Sequence, residues 1–127
     1  MVVLAALAIG YLCGSFPSAH LLARAKGRNV FEVGSGNMGA MNTARNLGPL
    51  LGVIVLLLDV GKGALATFIG LRMALVGTAS TGVAASDPAA GLWLVPAVVA
   101  GVAAVAGHCY SLFVGFRGGK GLATALG

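Results

Sequence analysis

Long apolar runs alternate with short polar segments along this sequence. The apolar runs cover residues 2–23, 50–76 and 92–106, and another begins at Leu122. A helix of about 20 apolar residues crosses the hydrocarbon core of a bilayer, so we interpret these runs as membrane spans. The pattern predicts an all-α, polytopic transmembrane helix bundle, with three spans and the start of a fourth.

The composition is that of an integral membrane protein. Only 9% of the 127 residues are charged and the mean hydropathy is +0.98, whereas soluble domains carry about 25% charged residues. The 21 glycines suit close packing of helices in lipid. We expect a single integral membrane domain, residues 1–127, that is the N-terminal part of a longer domain, because the sequence stops inside an apolar stretch.

The distribution of positive charge predicts which polar segments face the cytoplasm. Residues 24–45 hold four of the eight Lys and Arg residues and one acidic residue. Lys and Arg accumulate in cytoplasmic loops, so we place this loop inside the cell, and residues 107–121 on the same side. Residues 77–91 contain no Lys or Arg and are expected outside, with Trp93 near the outer interface.

The net charge of +5 gives little support to nucleic-acid binding, because no basic cluster is interleaved with aromatic residues. Such an excess of positive charge fits cytoplasmic loops and anionic substrates instead.

Cys13 and Cys109 lie in or beside apolar segments without metal-ligand spacing. We expect both cysteines to be buried and to act as small hydrophobic residues. Nothing in the sequence calls for a metal or another cofactor.

The first polar loop contains a glycine-rich stretch, residues 34–45, in which Ser35, Asn37, Asn42 and Arg45 supply hydrogen-bond donors. Its glycine spacing matches the dinucleotide-binding fingerprint, with an aspartate 20 residues beyond the third glycine. That fingerprint requires a strand before it and a helix after it in a βαβ unit. Only a weak strand candidate precedes it, and no amphipathic helices follow, so we reject a nucleotide-binding fold.

A second glycine-rich stretch, Gly118-Gly119-Lys120-Gly121, fails the P-loop pattern. Val114 stands where a glycine is required, and Gly121 stands where Ser or Thr is required. Consecutive glycines beside a lysine still offer backbone N–H groups and a point charge to an anion. The stretch therefore predicts a phosphate site, with a glycine hinge carrying an interfacial lysine as the alternative.

Ionisable residues inside spans are rare and are usually paired or turned to a cavity. Asp59 and Lys62 share one helix face, so they form either a structural ion pair or a support for substrate-site residues. His20 is either a hydrogen-bonded bundle residue or a substrate contact. His108 lacks the aspartate five residues later that acyltransferases with a histidine–aspartate motif carry, since Phe113 is there. No covalent nucleophile is indicated.

Five motifs, in order, resemble those of the bacterial acyl-phosphate:glycerol-3-phosphate acyltransferases. They lie at residues 14–17, 34–45, 58–63, 107–108 and 116–124. The resemblance implies a multi-pass enzyme of the bacterial inner membrane, with cytoplasmic active-site loops. Such an enzyme transfers a fatty acyl group from acyl phosphate to the first hydroxyl of glycerol 3-phosphate, giving lysophosphatidic acid for phospholipid biosynthesis.

The resemblance also implies residue roles. Ser35 and Arg45 match the catalytic serine and arginine. The segment at residues 118–121 matches the phosphate-binding loop for glycerol 3-phosphate. We expect Asn37 and Asn42 to bind substrate as well, and we expect a supporting role for three further residues, namely Asp59, Lys62 and His108. Both substrates are anionic, which fits a cytoplasmic face lined by four cationic side chains: Arg45, Lys62, Arg117 and Lys120.

The chain departs from the family pattern at two places. Met41 stands where the family usually has Thr, and the third family motif, with its His, Asn and Glu, is absent. Whether a soluble acyl-phosphate-forming enzyme docks on the cytoplasmic loops stays open. The alternative function is a small-solute or lipid transporter with phosphate-selective loops, but the inverted repeats with broken helices typical of transporters are not visible in the sequence.

Overall fold

The structure is a computed structural model that describes residues 1–81, 92 and 94–127, without the side chains of 78–81. The described residues contain no β-strand, which confirms the all-α prediction. Short 3₁₀ turns occur at Val30–Glu32 and Leu112–Val114. The described residues form six α-helices, in chain order: α1 Val2–Ser15, α2 Ser18–Ala25, α3 Ala40–Leu47, α4 Pro49–Thr81, α5 Val95–Cys109 and α6 Leu122–Leu126.

In the part of the chain that the structure describes, three helical stretches are long and apolar enough to cross a membrane: Val2–Ala25, Pro49–Gly77 and Val95–Val114. This confirms the three predicted spans, and α6 begins at the residue predicted to open a fourth. The helix of the second span, α4, continues to Thr81, beyond the predicted end of that span at residue 76. The rest of the expected external loop and Trp93 lie outside the described residues.

The first span is broken, whereas the sequence predicted one continuous helix over residues 2–23. α1 ends at Ser15 and α2 begins at Ser18. Phe16 lies outside the helical region, with φ −54° and ψ 118°, because the residue before a proline is disfavoured there. Pro17 also has no N–H to continue the helical ladder. At the break the Phe16 carbonyl oxygen accepts from Ser18 N at 3.1 Å and can accept from a second donor.

A buried ion pair on α4 occupies the break. Lys62 Nζ lies 3.0 Å from Asp59 Oδ1 and donates a hydrogen bond to the Phe16 carbonyl oxygen at 3.0 Å. Ser18 Oγ donates to Asp59 Oδ1 at 2.7 Å. The two charged residues are only 7% and 1% exposed. Because polar groups at membrane depth must be satisfied within the protein, this cluster fastens the broken span to α4.

Small residues set the contact between α1 and α5. A Cβ atom at Gly10 would overlap the main chain of Ala100, and one at Gly14 would overlap that of Ala104. Gly10 and Gly14 are separated by three residues, the spacing that lets two helix backbones approach closely in membranes. Most buried residues of α1, α2 and α5 are accordingly alanine, glycine or serine, while leucines such as Leu4 and Leu57 are exposed on the outside of the bundle.

The first polar loop is held to the bundle by a small apolar cluster. Val30 and Met38 from the loop pack with Ala19 and Ala23 of α2 and with Val55 of α4, and all five are buried. The loop is therefore a fixed part of the fold. It carries α3 to one end of α4, where the candidate site is found.

We expect Gly14→Ala to lower stability by about 1–3 kcal/mol, the usual result of overpacking a close contact. The matched control is Gly61→Ala on α4, where a Cβ atom meets nothing within 4 Å and should stabilise the helix by up to about 1 kcal/mol. Thermal unfolding of the protein in detergent measures both changes. Equal stability of the two variants would contradict the packing described for α1 and α5.

We expect Lys62→Met to destabilise the protein by about 3–5 kcal/mol, because Asp59 would be left as an uncompensated buried charge. The double variant Asp59→Asn with Lys62→Met should lose less than Lys62→Met alone. Arg72→Gln, which removes an exposed cation from the same helix, serves as the control and should be close to neutral. Thermal unfolding again provides the measurement, and a neutral Lys62→Met would refute the structural role of the pair.

Candidate active site

The candidate site is a cavity of about 820 Å³ between the first polar loop, α3, the N-terminal half of α4 and the second glycine-rich segment. Apolar side chains from α4 and α6 form one wall, including Val53, Leu56 and Leu126. The structure brings eight of the predicted site residues to its lining: Ser35, Asn37, Asn42, Arg45, Asp59, His108, Lys120 and Gly121.

Asn42 shapes the first polar loop from inside. Its Oδ1 accepts hydrogen bonds from Ser35 N and from Asn46 Nδ2, each at 3.0 Å. Its Nδ2 donates to the carbonyl oxygens of Asn37 at 2.9 Å and Val33 at 3.2 Å. Both ends of this buried amide are therefore engaged by the loop itself. Substrate binding by Asn42 stays a prediction. In the structure, the Asn42 side chain holds the main chain of the first polar loop in place.

Two glycines allow the tight path that Asn42 stabilises. Gly34 and Gly36 have φ values of 57° and 66°, in the left-handed region that favours glycine. Asn37 Oδ1 accepts a hydrogen bond from Gly39 N at 2.8 Å, which orders the entry to α3. As a result the main chain of Ser35 is fixed.

Ser35 and Arg45, the two residues expected to be catalytic, are brought to the same cavity by different elements. Ser35 comes from the loop and Arg45 from the last turn of α3, and both are exposed. Met41, the departure from the family pattern, is 63% exposed on α3 and also lines the cavity. Their roles in catalysis stay predictions.

The second glycine-rich segment packs against the end of α5. Gly119 N donates to the His108 carbonyl oxygen at 3.2 Å, and Met38 N donates to the Gly118 carbonyl oxygen at 3.4 Å. The second bond joins the two polar segments directly. Cβ atoms at Gly118 and Gly119 would overlap the His108 main chain and ring, respectively. These two glycines face α5, whereas Lys120 and Gly121 line the cavity.

Of the four cations expected on the cytoplasmic face, Arg45 and Lys120 line the cavity, and Arg117 and Lys62 do not. The Arg117 guanidinium carbon lies 4.3 Å from the centre of the Phe31 ring, a cation–π arrangement. Lys62 is turned to Asp59 and Phe16 at the helix break. Because Lys62 already neutralises Asp59, the unpaired charge around the cavity is the positive charge of Arg45 and Lys120. The cavity thus suits an anion with an apolar tail.

The structure also brings together residues that are far apart in the sequence. His108 Nδ1 lies 3.6 Å from Asp59 Oδ1, and its side chain is only 4% exposed. A motif with an aspartate five residues after the histidine does not reveal this pair, because the two residues lie on different helices. The charge of Asp59 within a span was the available signal. Ser18 was not among the predicted site residues, since a serine in a span gives no such signal.

Cys13 and Cys109 are free thiols, and both are partly buried rather than fully buried as expected. Among the residues that the structure describes, no group of three or more His, Cys, Asp or Glu side chains could hold a metal ion.

Residues 4–127 match the family described as glycerol-3-phosphate acyltransferase. The chain is 41% identical over 120 residues to the glycerol-3-phosphate acyltransferase of Geobacter sulfurreducens, covering 94% of this chain and 53% of that protein. It is 45% identical over 122 residues to that of Anaeromyxobacter sp. strain Fw109-5, covering 95% and 54%. The chain thus spans about half the length of these relatives.

Solved structures give the same result. The crystal structure of PlsY, an integral membrane glycerol 3-phosphate acyltransferase, in its glycerol 3-phosphate form, is 38% identical with a TM-score of 0.70. That match covers 100% of this chain and 56% of the other. The lysophosphatidic acid form matches with 37% identity and a TM-score of 0.66, covering 98% and 54%. These matches confirm the resemblance read from the motifs, and the chain belongs to the glycerol-3-phosphate acyltransferase family.

Proposed function

We propose that this protein transfers a fatty acyl group from acyl phosphate to the sn-1 hydroxyl of glycerol 3-phosphate, giving lysophosphatidic acid for phospholipid biosynthesis. The observation that carries the proposal is the cavity itself. It combines the cations Arg45 and Lys120 and the hydroxyl of Ser35 with an apolar wall. The crystal forms of the neighbour named for glycerol 3-phosphate and for lysophosphatidic acid support this choice of substrate and product.

Glycerol 3-phosphate fits the polar side of the cavity. Its phosphate carries negative charge, and Arg45 can hold two phosphate oxygens at once because its guanidinium presents N–H groups in a planar fork. Lys120 adds a point charge beside the glycine main chain. In the proposed complex these groups orient the glycerol hydroxyl toward the acyl donor.

The acyl donor fits both sides of the same cavity. An acyl phosphate has an anionic head and a long hydrocarbon chain. Side chains such as Val53, Leu56 and Leu126 provide the apolar contact that would favour burial of the chain. The mixed anhydride already contains a good leaving group, so the reaction needs no covalent acyl-enzyme.

In the proposed step, the hydroxyl oxygen of glycerol 3-phosphate forms a bond to the acyl carbonyl carbon. The bond from that carbon to the phosphate oxygen breaks, and the hydroxyl proton leaves with inorganic phosphate. Alignment of the two reactants can supply about 7–11 kcal/mol of the barrier. Ser35 either donates to the developing oxyanion or orients the attacking hydroxyl, and both roles reduce the barrier.

The location we propose is the bacterial inner membrane, with the site facing the cytoplasm. The three apolar helical stretches support a multi-pass membrane protein. The hydrogen bond between Met38 N and Gly118 O supports placing the two polar segments on one side, and their positive charge favours the cytoplasmic side. A soluble enzyme that forms acyl phosphate is a further proposed partner.

Catalysis by Ser35 and Arg45 is tested by reconstituting the protein in lipid with acyl phosphate and glycerol 3-phosphate. We expect Ser35→Ala and Arg45→Ala each to lower turnover by about 100-fold or more, the usual loss when a donor at developing charge is removed. Arg72→Ala is the control, since it removes an exposed cation that does not line the cavity. If Ser35→Ala and Arg45→Ala kept wild-type turnover as the control does, the assigned site would be wrong.

The identity of the donor is tested in the same vesicles by replacing acyl phosphate with acyl-CoA. We expect lysophosphatidic acid with acyl phosphate and at most a trace with acyl-CoA, because the cavity offers cations for a small phosphate head. Equal rates with acyl phosphate and acyl-CoA would exclude the donor assignment.

Uptake of glycerol 3-phosphate into the vesicles without product would instead favour the alternative function, a transporter. The helix break in the first span resembles transporter helices, although Lys62 Nζ and Ser18 N already donate to the Phe16 carbonyl oxygen at the break.

A further inference from the structure

Three spans meet at one carboxylate oxygen. Asp59 Oδ1 on α4 accepts from Ser18 Oγ of α2 at 2.7 Å and lies 3.0 Å from Lys62 Nζ. His108 Nδ1 of α5 approaches the same oxygen at 3.6 Å. The first two contacts fix the position of the carboxylate, because both partners are themselves buried. Asp59 thus offers His108 a stationary acceptor.

The opposite edge of His108 meets the second glycine-rich segment. A Cβ atom at Gly119 would overlap the Nε2 edge of the imidazole ring. The His108 carbonyl oxygen also accepts the hydrogen bond from Gly119 N. His108 therefore contacts Gly119 through its ring and its main chain, one residue before Lys120 enters the cavity.

We propose that His108 is a positioning residue for the 118–121 segment, oriented by the contact of its Nδ1 with Asp59 and, through Asp59, by Ser18. The ring sets the distance between the segment and α5, and so sets where Lys120 and the following main chain stand in the cavity. The inference rests on the proposed function only in naming glycerol 3-phosphate as the anion that this segment receives.

The geometry favours positioning over proton transfer. The His108 side chain borders the cavity but is only 4% exposed, so little of its ring is open to a substrate. Its Nδ1 forms no hydrogen bond within the described part of the chain, and Asp59 is the acceptor nearest at hand. A carboxylate oxygen 3.6 Å from Nδ1 favours the tautomer with its proton on that nitrogen and opposes rotation of the ring, as carboxylates do behind ligating histidines.

Kinetics of the protein in lipid nanodiscs test the proposal first. We expect His108→Ala to raise KM for glycerol 3-phosphate about tenfold, the equivalent of one weakened interaction with a charged group, with a smaller change in kcat and no change in KM for acyl phosphate. Ser18→Ala should act in the same direction. Ser15→Ala is the matched control, because Ser15 is also a buried serine beside the break but its Oγ bonds to none of the described residues.

A size-complementation pair tests the ring contact directly. Gly119→Ala should raise the same KM, because its methyl group collides with the His108 ring. Adding His108→Ala removes the ring and should relieve the collision. The double variant is therefore expected to be less impaired than the sum of the two single changes. Additive losses would overturn the proposed contact.

Hydrogen–deuterium exchange provides a readout that does not need turnover. We expect faster exchange of the main-chain amides at 118–121 in His108→Ala and Ser18→Ala, and wild-type exchange in Ser15→Ala. If the wild type makes no product while these amides respond as expected, the proposed function fails and the positioning role stands. If product forms but neither KM nor exchange responds, the positioning role is refuted. Unchanged exchange without product refutes both.

Discussion

The energetic constraint on which the rest of this structure depends is the burial of Asp59 and Lys62 in a membrane span. Neither charge can be left alone at that depth, because an unpaired ion in a low-dielectric interior is strongly unfavourable. The pair draws in the Phe16 carbonyl, which only a broken helix can offer, and the hydroxyl of Ser18. The break in the first span and the ion pair on α4 are therefore two parts of one arrangement. The same carboxylate then reaches α5 through His108.

Glycine serves three different physical purposes in this chain. At Gly10 and Gly14 the missing side chain lets two helices touch through their backbones. At Gly34 and Gly36 glycine permits the left-handed turns that Asn42 bonds in place. At Gly119 it leaves room for an imidazole ring. A high glycine content could be read from the composition, but its three uses depend on which neighbour each glycine meets.

Hydropathy predicted the three spans well, because the bilayer demands long apolar helices whatever their tertiary contacts. It missed the helix break, since Pro17 within a span is compatible with a kink, a break or a continuous helix. The glycine-rich loops indicated an anion site, which stays a prediction, and the structure shows that Arg45 and Lys120 line one cavity. Only the three-dimensional structure reveals that Arg117 lies over the Phe31 ring and outside the cavity lining, because the two residues are distant in the sequence. For the same reason, sequence spacing could not reveal the approach of His108 to Asp59, two residues on separate helices.

The helix break has an electrostatic consequence. The Phe16 carbonyl lies at the C-terminal end of α1, the negative end of its macrodipole, and Ser18 begins α2 at that helix's positive end. Lys62 contacts the first end and Asp59 contacts the second through Ser18. The polarity of the ion pair therefore matches both half-helices at once. If the two residues were exchanged, they would still attract each other, but each charge would lie at a helix end of the same sign. The direction of the first span therefore determines the order of Asp59 and Lys62 along α4.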